Sequence, residues 1–188
     1  MLKPVEEFGK YVAIAGFKNV KIADVEEFLE NVRKCLAKNV EAQFFDARLV
    51  ATWQHLYFAA LNALNAFKNG VNISKSLAVE MLLYASAQRQ IRKAMNLIGI
   101  KSDSKVIAAI IVGEREEDVE EALQAISRIV GGRRDDAVLK LSRKKIETIR
   151  KAFEISDLEL EAVMKGKNLD QALINLVIER VALLAIER

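Results

Sequence analysis

Apolar positions along the chain follow two rhythms. Tyr11 to Phe17 is a short run of apolar and small residues, Ala42 to Val50 carries Phe44 and Phe45, and Lys105 to Val112 holds Val106, Ile107, Ile110, Ile111 and Val112. Such runs predict strands, and the near-continuity of the last predicts a central strand covered on both faces. A further strand is expected over Ala137–Leu141. Elsewhere the apolar spacing is three and four residues, the period of a helix with one buried face. Val25, Phe28, Leu29, Val32, Cys35 and Leu36 predict a helix to about Lys38, opened by Asp24 with Glu27 in capping-box position. Thr52 opens the next, with Leu56, Ala60, Ala63, Leu64 and Phe67 on its buried face and Gly70 suited to the left-handed position after it.

Ser76 begins a third helical region, with Glu80 in its first turn and Leu77, Met81 and Tyr84 on its stripe. Ser86 is a candidate break, able to cap a new helix from Ala87 whose stripe runs through Ile91, Ala94, Met95 and Ile98 to Gly99. Val119, Leu123, Ile126 and Val130 mark a helix over Glu114–Val130, stopped by Gly131 and Gly132. The C-terminal third reads as helical throughout: a Ser142-capped helix with Ile146, Ile149 and Phe153, a Ser156/Glu159 capping box on a short helix ending near Gly166, and a last helix from about Leu169 that buries Leu173, Leu176, Val177, Val181 and Leu184. The order β-α-β-α-α-β-α-(β)-α-α-α predicts an α+β fold, with a small central, mainly antiparallel sheet, helices packed on it and an all-helical part over about 142–188. No repeat and no low-complexity linker divides the chain, so one domain over 1–188 is expected.

Composition narrows the function classes. Of 188 residues 52% are apolar and 29% charged, enough to fill a core and too apolar for a disordered chain. Cys35 is the only cysteine and His55 the only histidine. That leaves no intrachain disulfide and too few nitrogen and sulfur ligands for a zinc site. Cys35 falls on a predicted apolar stripe and is expected to act as a small buried hydrophobe. The most apolar stretch, Leu173 to Ile186, is interrupted by Glu179 and Arg180, so neither a membrane span nor a signal segment is expected, and the cytoplasm is the expected location. The net charge of +3 is compatible with nucleic acid without demonstrating it.

Catalytic chemistry finds little to work with. There is no G-x-S-x-G, no Walker A loop and no G-x-G-x-x-G. His55 is expected near the exposed start of its helix, packing locally or touching a ligand. The acidic run from Glu114 through Glu116, Glu117, Asp118, Glu120 and Glu121 reads as a solvated helix start, where carboxylates meet the positive end of the dipole. Asp135 and Asp136, flanked by Arg133 and Arg134, are expected to form local ion pairs in a turn. No catalytic residue, metal or cofactor is expected.

One block is more specific. Asp46-Ala47, His55-Leu56, Ala59, Ala63, Ser76-Leu77, Glu80, Tyr84-Ala85-Ser86, Arg89-Gln90-Ile91 and Gly99-Ile100 stand in the order and spacing of a known pattern. Phe153-Glu154-Ile155-Ser156, Glu159-Leu160 and Glu179 to Leu184 continue it. In these residues the chain resembles the TPRKB family, a subunit of the KEOPS (EKC) complex, over nearly its whole length. Its Lys/Glu/Ile-rich composition looks archaeal.

The resemblance implies a non-catalytic role in the cytoplasm. The family member binds the small RIO-like kinase/ATPase subunit of KEOPS and the 3′ CCA end of tRNA, and reaches the other subunits indirectly. The complex takes part in threonylcarbamoyl-adenosine modification of tRNA. A stand-alone RNA-binding domain without a kinase partner is the alternative. For RNA the candidates are Ser86, Arg89, Gln90, Arg92, Lys93 and His55: a helix restarting at Ser86 would aim N–H groups at a phosphate, with the arginines in its first two turns and Gln90 able to meet base edges. The competing reading is a solvated face of one continuous helix. Trp53, Tyr57 and Phe58, off the main apolar stripe, are the candidate protein interface; Trp53 could anchor a partner or seal the edge of the core.

Overall fold

The computed structural model describes residues 1–164, 166 and 168–186. Among them five strands form one sheet: β1 (Leu2–Val5), β2 (Lys10–Lys18), β3 (Glu41–Asp46), β4 (Val106–Gly113) and β5 (Arg133–Arg134). All pairings are antiparallel and the order is β1-β2-β4-β3. β5 joins β2 on the same edge as β1, taking Phe17 and Lys18 where β1 takes Lys10 to Ala13. The helices are α1 (Val25–Cys35), α2 (Trp53–Lys68), α3 (Leu77–Ser86), α4 (Ile91–Ile98), α5 (Glu116–Ile129), α6 (Arg143–Ala152), α7 (Asp157–Val163) and α8 (Leu169–Leu183). This is the α+β architecture read from the sequence, with its helical C-terminal part.

Alternation along the strands divides the core in two. Ala13, Ala15, Phe17, Phe44, Ile107, Ala109 and Ile111 face α1 and α5, where Phe28, Val32, Val119 and Ile126 complete the packing. Val12, Ile14, Phe45, Ala108, Ile110 and Val112 face the other way, against α2, α3 and α8. Consecutive phenylalanines therefore serve opposite layers. β4 lies between β2 and β3 and is covered on both faces, as its unbroken apolar run predicts. Asp24 accepts a hydrogen bond from Glu27 N at 2.9 Å, and the Ser156/Glu159 capping box is complete in both directions.

Several expectations are corrected. The strand expected to reach Val50 ends at Asp46, because the Asp46 carboxylate accepts from Arg48 N at 3.0 Å and turns the chain into a 3-10 turn over Ala47–Leu49. The strand expected over Ala137–Leu141 is a 3-10 turn over Asp136–Leu139, capped by Asp135 from Ala137 N; the pairing it would have made falls to Arg133 and Arg134. Of the flanking ion pairs, Arg134 does meet Asp136, at 3.2 Å, while Asp135 pairs with Lys18 across the sheet. Within the acidic run Asp118 is buried, held by Arg115 and Asn39, and the other carboxylates are exposed. Cys35 is exposed: α1 ends on it, and the apolar face there passes to half-buried Leu36. β1 carries no strand signal in the sequence, since Lys3 and Pro4 interrupt any such pattern; both suit an edge. No described helix is long and apolar enough to cross a membrane.

Gly16 permits the 3-10 turn to lie on β2. Its N–H donates to Asp136 Oδ1 at 3.0 Å and its carbonyl accepts from Asp135 N at 2.8 Å. A Cβ here would overlap Val138 Cγ2 and come within 2.8 Å of Asp135 O. Gly16→Ala is expected to destabilise the protein by about 1–3 kcal/mol through this overpacking. Equilibrium urea unfolding measures it; a midpoint equal to the parent's would show that the turn can lift without cost.

Candidate functional site

The break expected near Ser86 is real, but its geometry differs. α3 ends at Ser86, Ala87 takes the left-handed conformation (φ 50°), and the new helix starts at Ile91 with Gln90 as its N-cap. Gln88 N donates to Leu83 O at 3.1 Å, closing α3 with a Schellman-type turn. Ser86 caps nothing: it is buried, and its hydroxyl donates back to Leu83 O at 3.0 Å. Gln90 makes no side-chain cap hydrogen bond.

α6 ends the same way. Glu154 is left-handed (φ 52°), and Ile155 N donates to Arg150 O at 2.9 Å. The two turns face one another across a hollow of about 330 Å³, lined by Ala87 and Gln88 on one side and Ala152, Phe153 and Glu154 on the other, with Arg180 and Leu183 of α8. A second hollow of about 380 Å³ continues from it through Gln88, Ala152 and Glu154 to Lys93, Asn96 and Lys151. A left-handed residue with a Cβ costs roughly 1–2 kcal/mol, and such strain gathers at functional sites. Here two such residues line one surface.

His55 braces these turns from below. It is fully buried, not near an exposed helix start as expected, because the end of α6 covers the start of α2. Ala51 N donates to its Nδ1 at 3.3 Å, so Nε2 carries the proton and donates to Ala85 O at 2.8 Å. Its ring meets Phe153 edge-on at 5.5 Å. Burial pushes the imidazole down to about 4, against the hydrogen bond to Ala85 O that favours the charged form. Both nitrogens are used inside the protein, so His55 presents no atom to a ligand in this structure.

The remaining candidates divide between two surfaces. Arg89, Gln90, Arg92 and Lys93 are exposed around the α3–α4 turn, and Lys93 lines the second hollow. Arg92 and Lys93 have no ion-pair partner among the described residues; Arg180, in the first hollow, is paired with Glu159. The Glu159 carboxylate is held down to about 2, chiefly by the Ser156 N–H and hydroxyl and then by Arg180. Ile91 and Met95 lie exposed on α4, at 43% and 52%, where their spacing predicts a buried stripe. In the short α4 only Ala94 and Ile98 are buried, and Leu97 is half-buried.

Trp53, Tyr57 and Phe58 form a chain of ring contacts at 6.0 and 6.3 Å on the exposed side of α2 and line neither hollow. Lys3 Nζ sits 4.9 Å over the Trp53 ring, which is half-buried, and Phe58 is 41% exposed. Ala87, Lys151, Phe153, Glu154 and Arg180 join the site without standing out in the sequence as site residues. The signal that could find them is the second non-glycine helix end at Phe153-Glu154-Ile155-Ser156.

Among the described residues, none lining the hollows pairs a nucleophile with a base. The lining residues offer side-chain amides, cations and one carboxylate, Glu154, for holding a ligand by hydrogen bonds and charge.

Comparison with known proteins concerns the chain as a whole. The model of the family described as kinase binding protein CGI-121 matches residues 17–185. The regulatory protein Cgi121 of Methanocaldococcus jannaschii is 36% identical over 113 residues, 60% of this chain and 70% of that protein. The residues on which the resemblance to TPRKB rests all fall within the span matched by the family model.

Proposed function

Because the chain belongs to the CGI-121 family of kinase-binding proteins, we propose that it is a non-catalytic regulatory subunit that binds a small kinase-like ATPase and the 3′ CCA end of tRNA. In this reading it supports threonylcarbamoyl-adenosine modification within a KEOPS-type assembly. The family's kinase binding counts against a stand-alone RNA module. The ring chain Trp53–Tyr57–Phe58 is assigned to the protein partner: Phe58 supplies exposed aromatic area and Trp53, half-buried under Lys3, a rigid support behind it.

The observation that carries the RNA reading is the cationic turn at the hollows. Arg89, Arg92 and Lys93 surround the α3–α4 turn, and Lys93 and Lys151 both line the second hollow together with the amides of Gln88 and Asn96 and the carboxylate of Glu154. Cations position phosphates, amides read the edges of unstacked bases, and a hollow accepts a splayed single-stranded end better than a duplex. The single chain 1–188 supplies both surfaces as one domain.

The test is a titration of labelled tRNA, full-length and with the CCA end removed, with and without the kinase-like partner. Removal of CCA is expected to weaken binding at least tenfold. Lys93→Glu and Arg92→Glu are each expected to weaken it about tenfold and to lower the slope of log K against log salt by about one. Their melting temperatures should match the parent's, because both side chains are exposed. Equal affinity for trimmed and full-length tRNA would remove the CCA end from the proposal.

A further inference from the structure

The two edges of the sheet are unlike. One is short and blunted: β1 has four residues, among them Lys3 and Pro4, and β5 has two. Lysine, proline and shortness are the usual protections of an edge strand. The other edge is β3. It pairs with β4 along its whole length, and on its outer side a single bridge, Phe45 to Gly99, covers its C-terminal end. Residues Glu41 to Phe44 have no strand neighbour there among the described residues, and carry neither lysine nor proline. What lies beside them is the Gln43 side chain, which donates to the Phe44 carbonyl at 3.2 Å.

This open stretch lies in a groove of about 500 Å³ between the two helical layers. Leu29, Val32 and Leu36 of the α1 side form one wall; Ala78 and Val79 of α3 form the other. Arg33 and Lys38 line it too, exposed and without an ion-pair partner among the described residues, against one acidic lining residue, Glu41.

From this geometry we infer that the β3 edge is a docking site for an extended peptide segment of a partner protein, which adds to the sheet as a strand. Backbone hydrogen bonds to residues 41–44, roughly 13 Å of strand, supply the recognition common to all such peptides. The apolar walls take side chains at alternate positions, and Arg33 and Lys38 select a carboxylate. The occupant is therefore an acidic, alternately apolar segment of another chain. This site is separate from the α3–α4 turn and from the α2 aromatics, and does not depend on the role assigned to either.

Selection of twelve-residue random peptides displayed against the full chain tests this. Enriched peptides are expected to alternate apolar residues and to carry Asp or Glu. Their binding should slow amide exchange and shift amide resonances at residues 41–44. Ala42→Pro should lower affinity at least tenfold. Should Ala42→Pro misfold, Arg33→Glu with Lys38→Glu, on the exposed rim, should lower it about tenfold with no change in melting. The inference is overturned by an absence of enrichment, by enriched peptides indifferent to the rim charges, by shifts lying away from β3, or by a concentration-dependent dimer of the chain that occupies the edge itself.

Discussion

Leu184→Asp is expected to bring the protein close to unfolding. Leu184 follows α8 and is 3% exposed, in the apolar core shared with Leu173, Leu176, Val177 and Val181. α8 packs on α2 and α7, so this side chain helps fix the C-terminal helices to the sheet's second layer. Emptying a buried leucine site costs about 2–5 kcal/mol. Placing a carboxyl group there without a partner adds desolvation or forced protonation. A combined loss on the order of 5 kcal/mol falls against a total stability of about 5–15 kcal/mol. The melting temperature should drop by roughly 10–20 °C for a chain of this size. Ala182→Asp, two residues earlier on the exposed face, is the control and should cost only about 1 kcal/mol, from helix propensity and the dipole at the end of α8. Thermal unfolding followed by circular dichroism at neutral pH compares the three. A Leu184→Asp protein that melts with the parent would mean that α8 is not anchored as described.

That core is legible in the sequence, and the reason is local. Val177 and Val181 are four residues apart, and Val106 to Val112 is nearly unbroken, so burial is written in the spacing itself. What is not legible depends on distant partners. Ile91 and Met95 have the same spacing as Ala94 and Ile98, yet both stay about half exposed, because α4 is two turns long and meets the rest on one narrow side. Cys35 has the right phase on α1 but lies where the helix stops. β1 and β5 exist because β2 has an edge to be covered, a fact about β2 and not about Lys3-Pro4 or Arg133-Arg134. The family is legible from the blocks around Tyr84 to Ile91. The hollows are not, since they form only when the ends of α3 and α6, more than sixty residues apart in sequence, come to face each other.

His55 is the clearest case of a role set by distant residues, and it yields the second large effect. In the unfolded chain an imidazole titrates near 6.5; in the fold, burial holds it near 4. Between those values the unfolded state binds the proton and the folded state does not, so stability rises with pH across the window. The contribution is complete above about pH 6.5, is lost as pH falls, and stops changing below about pH 4. The loss should be about 2 kcal/mol between pH 7 and pH 5 and about 3 kcal/mol by pH 4. Of the other shifted groups, Glu159, held near 2, loses its preference only below the ordinary carboxylate range, Lys145, lowered by burial to about 8, makes stability rise between about 8 and 10.5, and the amino terminus, lowered by burial, makes stability rise with pH below its ordinary value near 8. The part of the slope between pH 6.5 and 5 that His55→Gln removes therefore reports His55. Urea unfolding in steps of half a pH unit should show the slope in the parent and the loss of that part in His55→Gln, whatever the absolute stability of that variant. The added proton goes on Nδ1, where it faces the Ala51 N–H that Nδ1 accepts in the neutral form, while the Nε2–H bond to Ala85 O is strengthened. Amide exchange at Ala51, whose N–H loses its acceptor, should therefore accelerate over this interval in the parent alone. A flat parent profile would show that protonated His55 finds a second arrangement inside the fold.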